Sequence, residues 1–373
     1  MGGAGARLRA VLGVRSSGPL GAWPDRAPDA DALVRAFGER FGEPPAGVWH
    51  APGRLALMGE HTAASGGVGL YAALPWGVTA ALATVAAPGV RVAAPGGPLR
   101  PREAAARAVA EAVAEARRTG ALDAGTGVRV LLDADLPERA SLGHSAAAGT
   151  AVALALADLD GGPPPEGATV DQRVALAARP GCVVRVNLRT MRTTVLPFDL
   201  AEAGLRLVVV DTGALPPRDL RAVRSAELRR AQETLGPLRA VRDLPGSLRR
   251  LPDPALRRRV EYAVTEVHRI NAAVGLLRSG RAAETGPILS ASHLSLRRFG
   301  LPTPEADLAA ETAARAGARG VRMSGWAGTV LALAAEERVD GIREALAEEF
   351  RARGWVPPRV RAALPSAGAH RLR

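Results

Sequence analysis

The sequence of 373 residues contains no lysine, one cysteine and very few aromatic residues. All 49 lysine-or-arginine positions are arginine, and aromatic residues make up 3% of the chain. A single cysteine, Cys182, excludes an internal disulfide bond and any metal site built from several cysteines. Because Cys182 lies in the strand-like run Gly181–Val186, a small buried apolar side chain is its expected role.

The formal net charge of +12 raises the question of a nucleic-acid partner. The arginines are spread along the chain and mixed with acids, as in Glu227–Arg230 and Glu336–Arg338. Aromatic residues that stack on bases are scarce. The pattern therefore predicts a solvated surface of mixed charge, with no nucleic-acid partner.

Long apolar runs are also missing, so no segment is expected to span a bilayer. The N-terminus lacks the apolar core of a signal peptide. We expect a cytoplasmic, monomeric protein with no membrane partner.

With 47% hydrophobic residues, the chain can bury one large core or two medium ones. Residues 1–31 are rich in Gly, Pro and Arg and are expected to form a loose lead-in. We expect one domain at 32–204, a helix-rich α+β domain at 205–373, and partial disorder in the basic tail Arg359–Arg373.

Hydrophobic periodicity and breaker residues divide the chain into helices and strands. The predicted helices are Ala32–Phe41, Pro101–Arg118, Ser145–Leu159, Arg257–Leu277, Asp307–Ala316 and Ile342–Arg353. The predicted strands are Val78–Val85, Val128–Leu132, Val183–Val186, Leu207–Val210 and Thr329–Ala334, with strand-like segments also around Arg54 and Arg359.

The segment Ala51–Thr62 carries the most chemical information. It places the cation of Arg54, the carboxylate of Glu60 and the imidazole of His61 among glycines. Donors and acceptors at fixed positions, with a backbone that allows close approach, suit a polyol ligand. The alternative is an ordinary strand–turn–strand with charged turn residues.

This segment resembles the signature of the galactokinase family, and the resemblance extends from about Trp49 to the C-terminal strand. It implies the α+β, two-domain fold of the GHMP small-molecule kinases, with the active-site cleft between the domains. By the same resemblance, Glu60 and His61 hold sugar hydroxyls. Ala63 replaces an aspartate that binds sugar in the family.

The segment Val170–Gln172 is similar to the family's Met-Asp-Gln motif. The resemblance makes Asp171 the catalytic carboxylate that orients or deprotonates the attacking sugar hydroxyl, and it makes Arg54 the cation that stabilises charge on the attacking oxygen. Both residues then also bind substrate. Taken alone, this Asp-Gln pair predicts only the start of a helix.

Two glycine-rich family loops have altered counterparts here. The segment Leu136–Ala147 resembles the first loop, with Arg139 and Ser141 at glycine positions. The segment Arg322–Thr329 resembles the second, with Trp326 and Ala327 at glycine positions. In the first loop, Arg139 offers phosphate a cation, and its bulk can equally block the backbone. The nucleotide-binding residues implied by the resemblance are Leu136, Pro137, Arg139, Ser141, Gly143, His144, Ser145, Ala146, Ser324 and Gly325.

The family uses ATP and Mg²⁺, so both are expected cofactors. The family helix that carries a magnesium-binding glutamate is missing, because only Gly161–Ala168 bridges the gap before Asp171. Ser145 remains as a metal ligand, with Asp160 and Glu166 nearby in sequence.

Two functions follow from these motifs. The first is ATP-dependent phosphorylation of galactose or a related sugar, with a sugar and a nucleotide as small-molecule partners. The alternative is a catalytically impaired homologue that binds sugar or regulates a partner, since most departures fall on nucleotide and metal elements. Either way, the side chains at glycine positions predict weak nucleotide affinity.

Overall fold

The computed structural model describes residues 23, 29–95, 97–98, 103–326 and 328–373. The lead-in expected at residues 1–31 therefore lies outside the described residues, apart from residue 23 and residues 29–31. The expected start of a helix at Pro101 and the loop residue Ala327 also lie outside them. Among the described helices, none combines the length and apolar character needed to cross a membrane.

The described residues form α-helices, short 3₁₀ turns and β-strands. The helices are α1 Ala30–Phe41, α2 Ala104–Thr119, α3 His144–Leu159, α4 Val170–Ala177, α5 Leu220–Leu235, α6 Leu244–Arg249, α7 Pro254–Arg278, α8 Gly286–Phe299, α9 Pro304–Arg315 and α10 Val339–Ala352. The strands are β1 Gly47–Met58, β2 Val68–Val85, β3 Val90–Ala94, β4 Gly97–Pro98, β5 Gly127–Ala134, β6 Cys182–Asn187, β7 Thr193–Pro197, β8 Leu205–Asp211, β9 Gly320–Ser324, β10 Thr329–Ala335, β11 Arg359–Ala363 and β12 His370–Arg371. A 3₁₀ turn at Glu60–Ser65 follows β1.

The chain forms two compact units that interleave along the sequence. The N-terminal unit contains Trp23–Arg54, Ala73–Pro180 and Pro365–Arg373, and the C-terminal unit contains Leu55–Ala72 and Gly181–Leu364. The domain boundary expected near residue 205 stays a prediction.

In the N-terminal unit, β5 pairs antiparallel with β2 and parallel with β3. Side chains alternate between two cores, as the period of a strand requires. Val128, Val130 and Leu132 of β5 pack with α2 and α3, whereas Leu131 packs with Leu33 and Phe37 of α1. The result is a sheet with helices on both faces.

In the C-terminal unit, β10 lies between β8 and β9, and β11 pairs with β8, all antiparallel. Apolar residues of this sheet pack against α9 and α10 in one core. A second core joins α5, α7 and α8 to Met323 on β9. Met323 and its neighbours Arg322 and Ser324 are therefore held in a rigid setting.

The predicted helices and strands are confirmed, with most ends shifted by no more than three residues, but β2 begins at Val68, ten residues before the predicted start at Val78. The expected disorder of the basic tail is wrong, because its residues form β11 and β12. Val360 and Ala362 pack against an apolar core, and Arg371 and His370 pair with Trp49 and His50. These pairings join distant parts of the chain, so local composition did not reveal them.

Candidate active site

Arg54 and Asp171 form an ion pair in the N-terminal unit. Arg54 Nε lies 2.7 Å from Asp171 Oδ1, and Nη2 lies 3.5 Å from Oδ2. The guanidinium also donates to the Ser141 carbonyl at 3.3 Å. The side chains of Arg54 and Asp171 are 13% and 27% exposed, so the pair is largely shielded and remains reachable from solvent.

The position of Asp171 follows from how α4 begins. Thr169 caps the helix, and a reciprocal capping box joins the Thr169 and Gln172 side chains to backbone N–H groups. Asp171 is thereby left in the first turn, where negative charge is favoured by the helix dipole. The helix-start interpretation of this motif is confirmed, and it is compatible with the ion pair because Gln172 makes the cap.

The loop before α3 lies beside this ion pair. Gly143 has φ +85°, and a Cβ added there would lie 3.4 Å from Arg54 Cγ and 3.7 Å from Asp171 Oδ2. Ser141 also has positive φ, at 56°, a conformation that normally favours glycine. The two residues turn the chain sharply, so that α3 starts directly at the ion pair.

The loop side chains have different surroundings. Leu136 and Pro137 are buried, Arg139 is exposed, and Ser141, Gly143, His144, Ser145 and Ala146 are half-buried. Burial lowers the pKa of His144, against the opposing charge of Glu138, so its imidazole is neutral at pH 7. With a neutral imidazole at His144, Arg139 is the cationic side chain of this loop.

Ser145 was predicted as the first residue of the helix that became α3, and it lies within α3 rather than capping it. The helix begins at His144, its N-cap is Gly143, and no side chain caps it. The first hydrogen bond of the helix runs from Ala147 N–H to the Gly143 carbonyl, at 2.8 Å. The N–H groups of the preceding residues in the first turn have no partner within the helix. Ser145 lies inside the helix because the helix already begins at His144, directly after Gly143 with its positive φ.

The described residues do not assemble a magnesium site. No group of three His, Cys, Asp or Glu side chains among them converges on a possible metal position. Glu166 lies 3.5 Å from Arg173 and is 90% exposed, and Asp160 is also exposed. Ser145 therefore has no carboxylate cluster around it, and the protein's own donors do not fit a resident Mg²⁺.

A buried network surrounds Glu60 in the C-terminal unit. Arg322 donates to both oxygens of Glu60, at 2.8 and 2.9 Å, and to Ser292 Oγ at 2.8 Å. Gly325 N–H donates to Glu60 Oε1 at 3.0 Å. Glu266 lies 3.4 Å from Arg322 and accepts from Ser292 at 2.7 Å. This network fixes Glu60 in one orientation.

Charge pairing controls the ionisation of Glu60. Burial alone raises the pKa of a carboxyl group, but Arg322 and His61 outweigh it and hold the pKa of Glu60 well below its ordinary value. Burial acts against the charged form of Arg322 too, and Glu60, Tyr262 and Glu266 outweigh it, so the pKa of Arg322 is raised. Both side chains stay charged although they are buried.

His61 is fully buried beside Glu60, with Nε2 3.3 Å from Glu60 Oε1. That contact lacks hydrogen-bond geometry, and neither ring nitrogen has another partner among the described residues. A buried polar group without a partner costs about 1–3 kcal/mol. The Trp326 indole meets the imidazole edge-on, with ring centroids 4.5 Å apart.

The structure thus brings Arg54 to Asp171 and Glu60 to His61, Ser324 and Gly325. Ser324 bonds the Ala56 backbone through its hydroxyl. The expectation that Arg54, Glu60, His61 and Asp171 share one cleft stays a prediction. The partnership of Arg322 with Glu60 and Glu266 was not identified from the sequence; an arginine in the middle of a short strand was the available signal.

The fold has relatives among enzymes that phosphorylate small molecules. A structure of L. major mevalonate kinase with R-mevalonate matches with a TM-score of 0.58 and 18% identity, covering 87% of this chain and 99% of that one. Residues 273–352 match the model described as GHMP kinases C terminal. The chain has the fold of the GHMP kinases.

Closer matches define the family within that class. Residues 35–84 match the galactokinase galactose-binding signature. A galactokinase of Streptomyces coelicolor is 33% identical over 92% of this chain and 99% of its own length. The structure of Lactococcus lactis galactokinase complexed with galactose matches with a TM-score of 0.81 and 23% identity, covering 92% of this chain and 99% of that one.

The chain belongs to the galactokinase family and is a galactokinase-like sugar kinase. The impaired-homologue alternative is not favoured by these relatives.

Proposed function

We propose that this protein transfers the γ-phosphoryl group of ATP to a hydroxyl group of galactose, with Asp171 as the base and Arg54 as its cationic partner. The observation that carries the proposal is the Arg54–Asp171 ion pair at the start of α3, with Nε and Oδ1 2.7 Å apart. A carboxylate beside a helix N-terminus combines a proton acceptor with a place for phosphate.

In the proposed step, a sugar hydroxyl oxygen attacks the γ-phosphorus in line. The new P–O bond forms as the bond from the γ-phosphorus to the bridging oxygen breaks, and ADP leaves with the electron pair. The hydroxyl proton passes to Asp171. Arg54 keeps the carboxylate oriented through its Nε bond and places positive charge near the attacking oxygen.

Phosphate binding is assigned to the first turn of α3 and to Arg139. The N–H groups of His144, Ser145 and Ala146 lie at the positive end of a 16-residue helix. Arg139 is exposed and has no ion-pair partner among the described residues, so its charge is available to an anion. Any further charge neutralisation would come from Mg²⁺ bound to the nucleotide itself, because the described residues supply no carboxylate cluster for it.

Sugar binding is assigned to Glu60 and His61. An ionised carboxylate has roughly four acceptor positions. Arg322 uses one on each oxygen, and Gly325 uses another on Oε1. About one position is left for a sugar hydroxyl, and the unpartnered nitrogens of His61 lie beside it.

Galactose-dependent ADP release tests the proposal. The wild-type protein is assayed with ATP and Mg²⁺, with and without galactose, beside Asp171→Asn and the control Asp123→Asn, which alters an exposed aspartate of the same unit. We expect galactose to stimulate ADP release in the wild type and the control, and Asp171→Asn to lower it at least 100-fold. Equal rates in all three proteins contradict the assigned roles.

A further inference from the structure

Trp326 covers the imidazole of His61 within the C-terminal unit. It follows β9 in the loop whose Gly325 N–H is bound to Glu60. The two ring planes stand at 86°, which presents the edge of one aromatic ring to the other. The indole therefore adjoins His61, and the residue before it, Gly325, is bound to Glu60.

The covered imidazole has spare hydrogen-bonding capacity, although its Nε2 lies 3.3 Å from Glu60 Oε1. The His61 side chain is 0% exposed, and both ring nitrogens lack a hydrogen-bond partner among the described residues. Buried polar side chains in folded proteins are usually hydrogen-bonded, and an exception calls for a functional explanation. A ligand hydroxyl that reaches His61 gives these nitrogens a partner.

Two further contacts hold the indole in place. The Arg221 guanidinium lies 5.9 Å from its ring centroid, and the indole packs at the edge of the apolar core of α5, α7 and α8. Ala64, from the same 3₁₀ turn as His61, packs against that core as well. Trp326 is thus a fixed, half-buried wall rather than a freely exposed side chain.

We propose that Trp326 is a specificity-determining residue for the acceptor sugar. This inference rests on the proposed function, because it assumes that His61 meets a sugar hydroxyl. An indole has far more volume than the hydroxyl or methyl groups that distinguish related sugars. Its position beside His61 therefore excludes acceptors with extra bulk on the hydroxyl that His61 contacts, while galactose itself is admitted.

The test compares galactose with the set of mono-O-methyl galactoses as acceptors. The variants are Trp326→Ala, which removes the wall, and Trp326→Phe, which keeps an aromatic ring of smaller size. The matched control is Trp355→Ala, a half-buried tryptophan of the same unit that packs against Phe350. Each protein is assayed for kcat/KM, and sugar binding is measured separately by calorimetry without ATP.

We expect Trp326→Ala to raise kcat/KM for one O-methyl isomer relative to galactose at least 10-fold, since pockets discriminate single methylene groups by about 10–200-fold. The kcat/KM ratio of Trp326→Phe should fall between those of the wild type and Trp326→Ala. Trp355→Ala should keep the wild-type ranking of the sugars. An unchanged ranking in both Trp326 variants overturns the inference. If Trp326→Ala does not fold, the Phe variant decides alone.

The binding measurement separates this inference from the proposed function. Sugar binding without turnover contradicts the kinase proposal, and the calorimetric ranking of the sugars then decides the role of Trp326 by the same criterion. Turnover with an unchanged ranking contradicts only the role of Trp326. No sugar binding by the wild type or by either Trp326 variant contradicts both.

Discussion

Arg322 donates hydrogen bonds to both carboxylate oxygens of Glu60, a residue 262 positions away in the sequence. Both side chains are buried, and Glu266, Ser292 and Met323 use the remaining donors of the guanidinium. A buried ion pair is not in itself strongly stabilising, but removing one partner leaves the other charge uncompensated. The pair therefore fixes the geometry of Glu60 and makes the fold depend on it.

The first prediction concerns Arg322→Leu. This variant should lose about 3–5 kcal/mol in free energy of unfolding, because Glu60 and Glu266 remain buried without their cation. The control Arg343→Leu removes an exposed pair with Asp340 and should change stability by less than ~1 kcal/mol. Urea denaturation of both variants measures the difference, and similar midpoints for the two would contradict the structural role of Arg322.

Stability should also depend on the protonation of His50. Its ring is buried, and Nδ1 shares a hydrogen bond of 3.0 Å with Thr79 Oγ1. The ring centroids of His50 and His370 are 5.8 Å apart. Burial, aided by the charge of His370, lowers the pKa of His50 from 6.5 to about 4. The unfolded chain therefore binds a proton at a higher pH than the folded one.

The sign of the pH effect follows from this difference. The stability contributed by neutral His50 is present above pH 6.5 and is lost as the pH falls toward 4, amounting to about 2 kcal/mol by pH 5. His50→Gln should remove that part of the pH dependence, whereas His268→Gln, on an exposed helix position, should keep it. Unfolding free energies at pH 7 and pH 5 provide the measurement. The same loss of stability in wild type and His50→Gln would show that another group is responsible.

Nucleotide affinity is predicted to be weak. Ser141 carries a side chain in a left-handed conformation next to α3, and Trp326 stands in the second glycine-rich loop. A ligand at 100 times its dissociation constant stabilises a protein by ~2.7 kcal/mol, and we expect millimolar Mg-ATP to give less than about 1 kcal/mol. Thermal shift measures this effect. A shift as large as that of a saturating ligand would contradict the prediction.

Arg139 supplies a companion variant for the same experiment. Because the exposed cation of Arg139 is assigned to phosphate, Arg139→Ala should weaken ATP binding several-fold. The control Arg107→Ala, at an exposed position of α2, should not. Tighter ATP binding by Arg139→Ala would contradict this assignment and would mean that the bulk of the side chain obstructs the loop.

Much of the fold was predictable because its elements have clear local signals. The apolar, alanine-rich run that forms α3 ends where Gly161 and three prolines begin, and the four consecutive apolar residues from Leu207 to Val210 predicted a buried strand. The tail was harder, since β11 and β12 depend on partners far away in the chain. Pairing over long sequence separations leaves no pattern in a local window.

The sequence named candidate site residues, whose roles stay predictions, but it did not reveal their contacts. Arg54, Glu60, His61 and Asp171 were identified from motifs, and the Arg54–Asp171 ion pair was not foreseen. The helix α3 was predicted to begin at Ser145, whereas it begins at His144, after Gly143 with its positive φ. A glycine conformation of that kind leaves no signal in the hydrophobic pattern of a sequence.

Asp171→Asn should leave the fold intact. The carboxylate is 27% exposed, so losing its ion pair with Arg54 should cost no more than about 1 kcal/mol. Urea unfolding with a single cooperative transition, close to that of the wild type, is the expected result. Failure of this variant to fold cooperatively would make Asp171 a structural residue and leave the proposed reaction without its base.

Phosphorus NMR of the reaction mixture shows whether the phosphoryl group of ATP reaches galactose. Purified protein is incubated with ATP, Mg²⁺ and galactose, and the products are compared with those formed by Asp171→Asn. We expect a sugar-phosphate resonance that grows in step with ADP in the wild type and is absent in Asp171→Asn. ADP accompanied only by inorganic phosphate, or a sugar phosphate formed equally by Asp171→Asn, would contradict it.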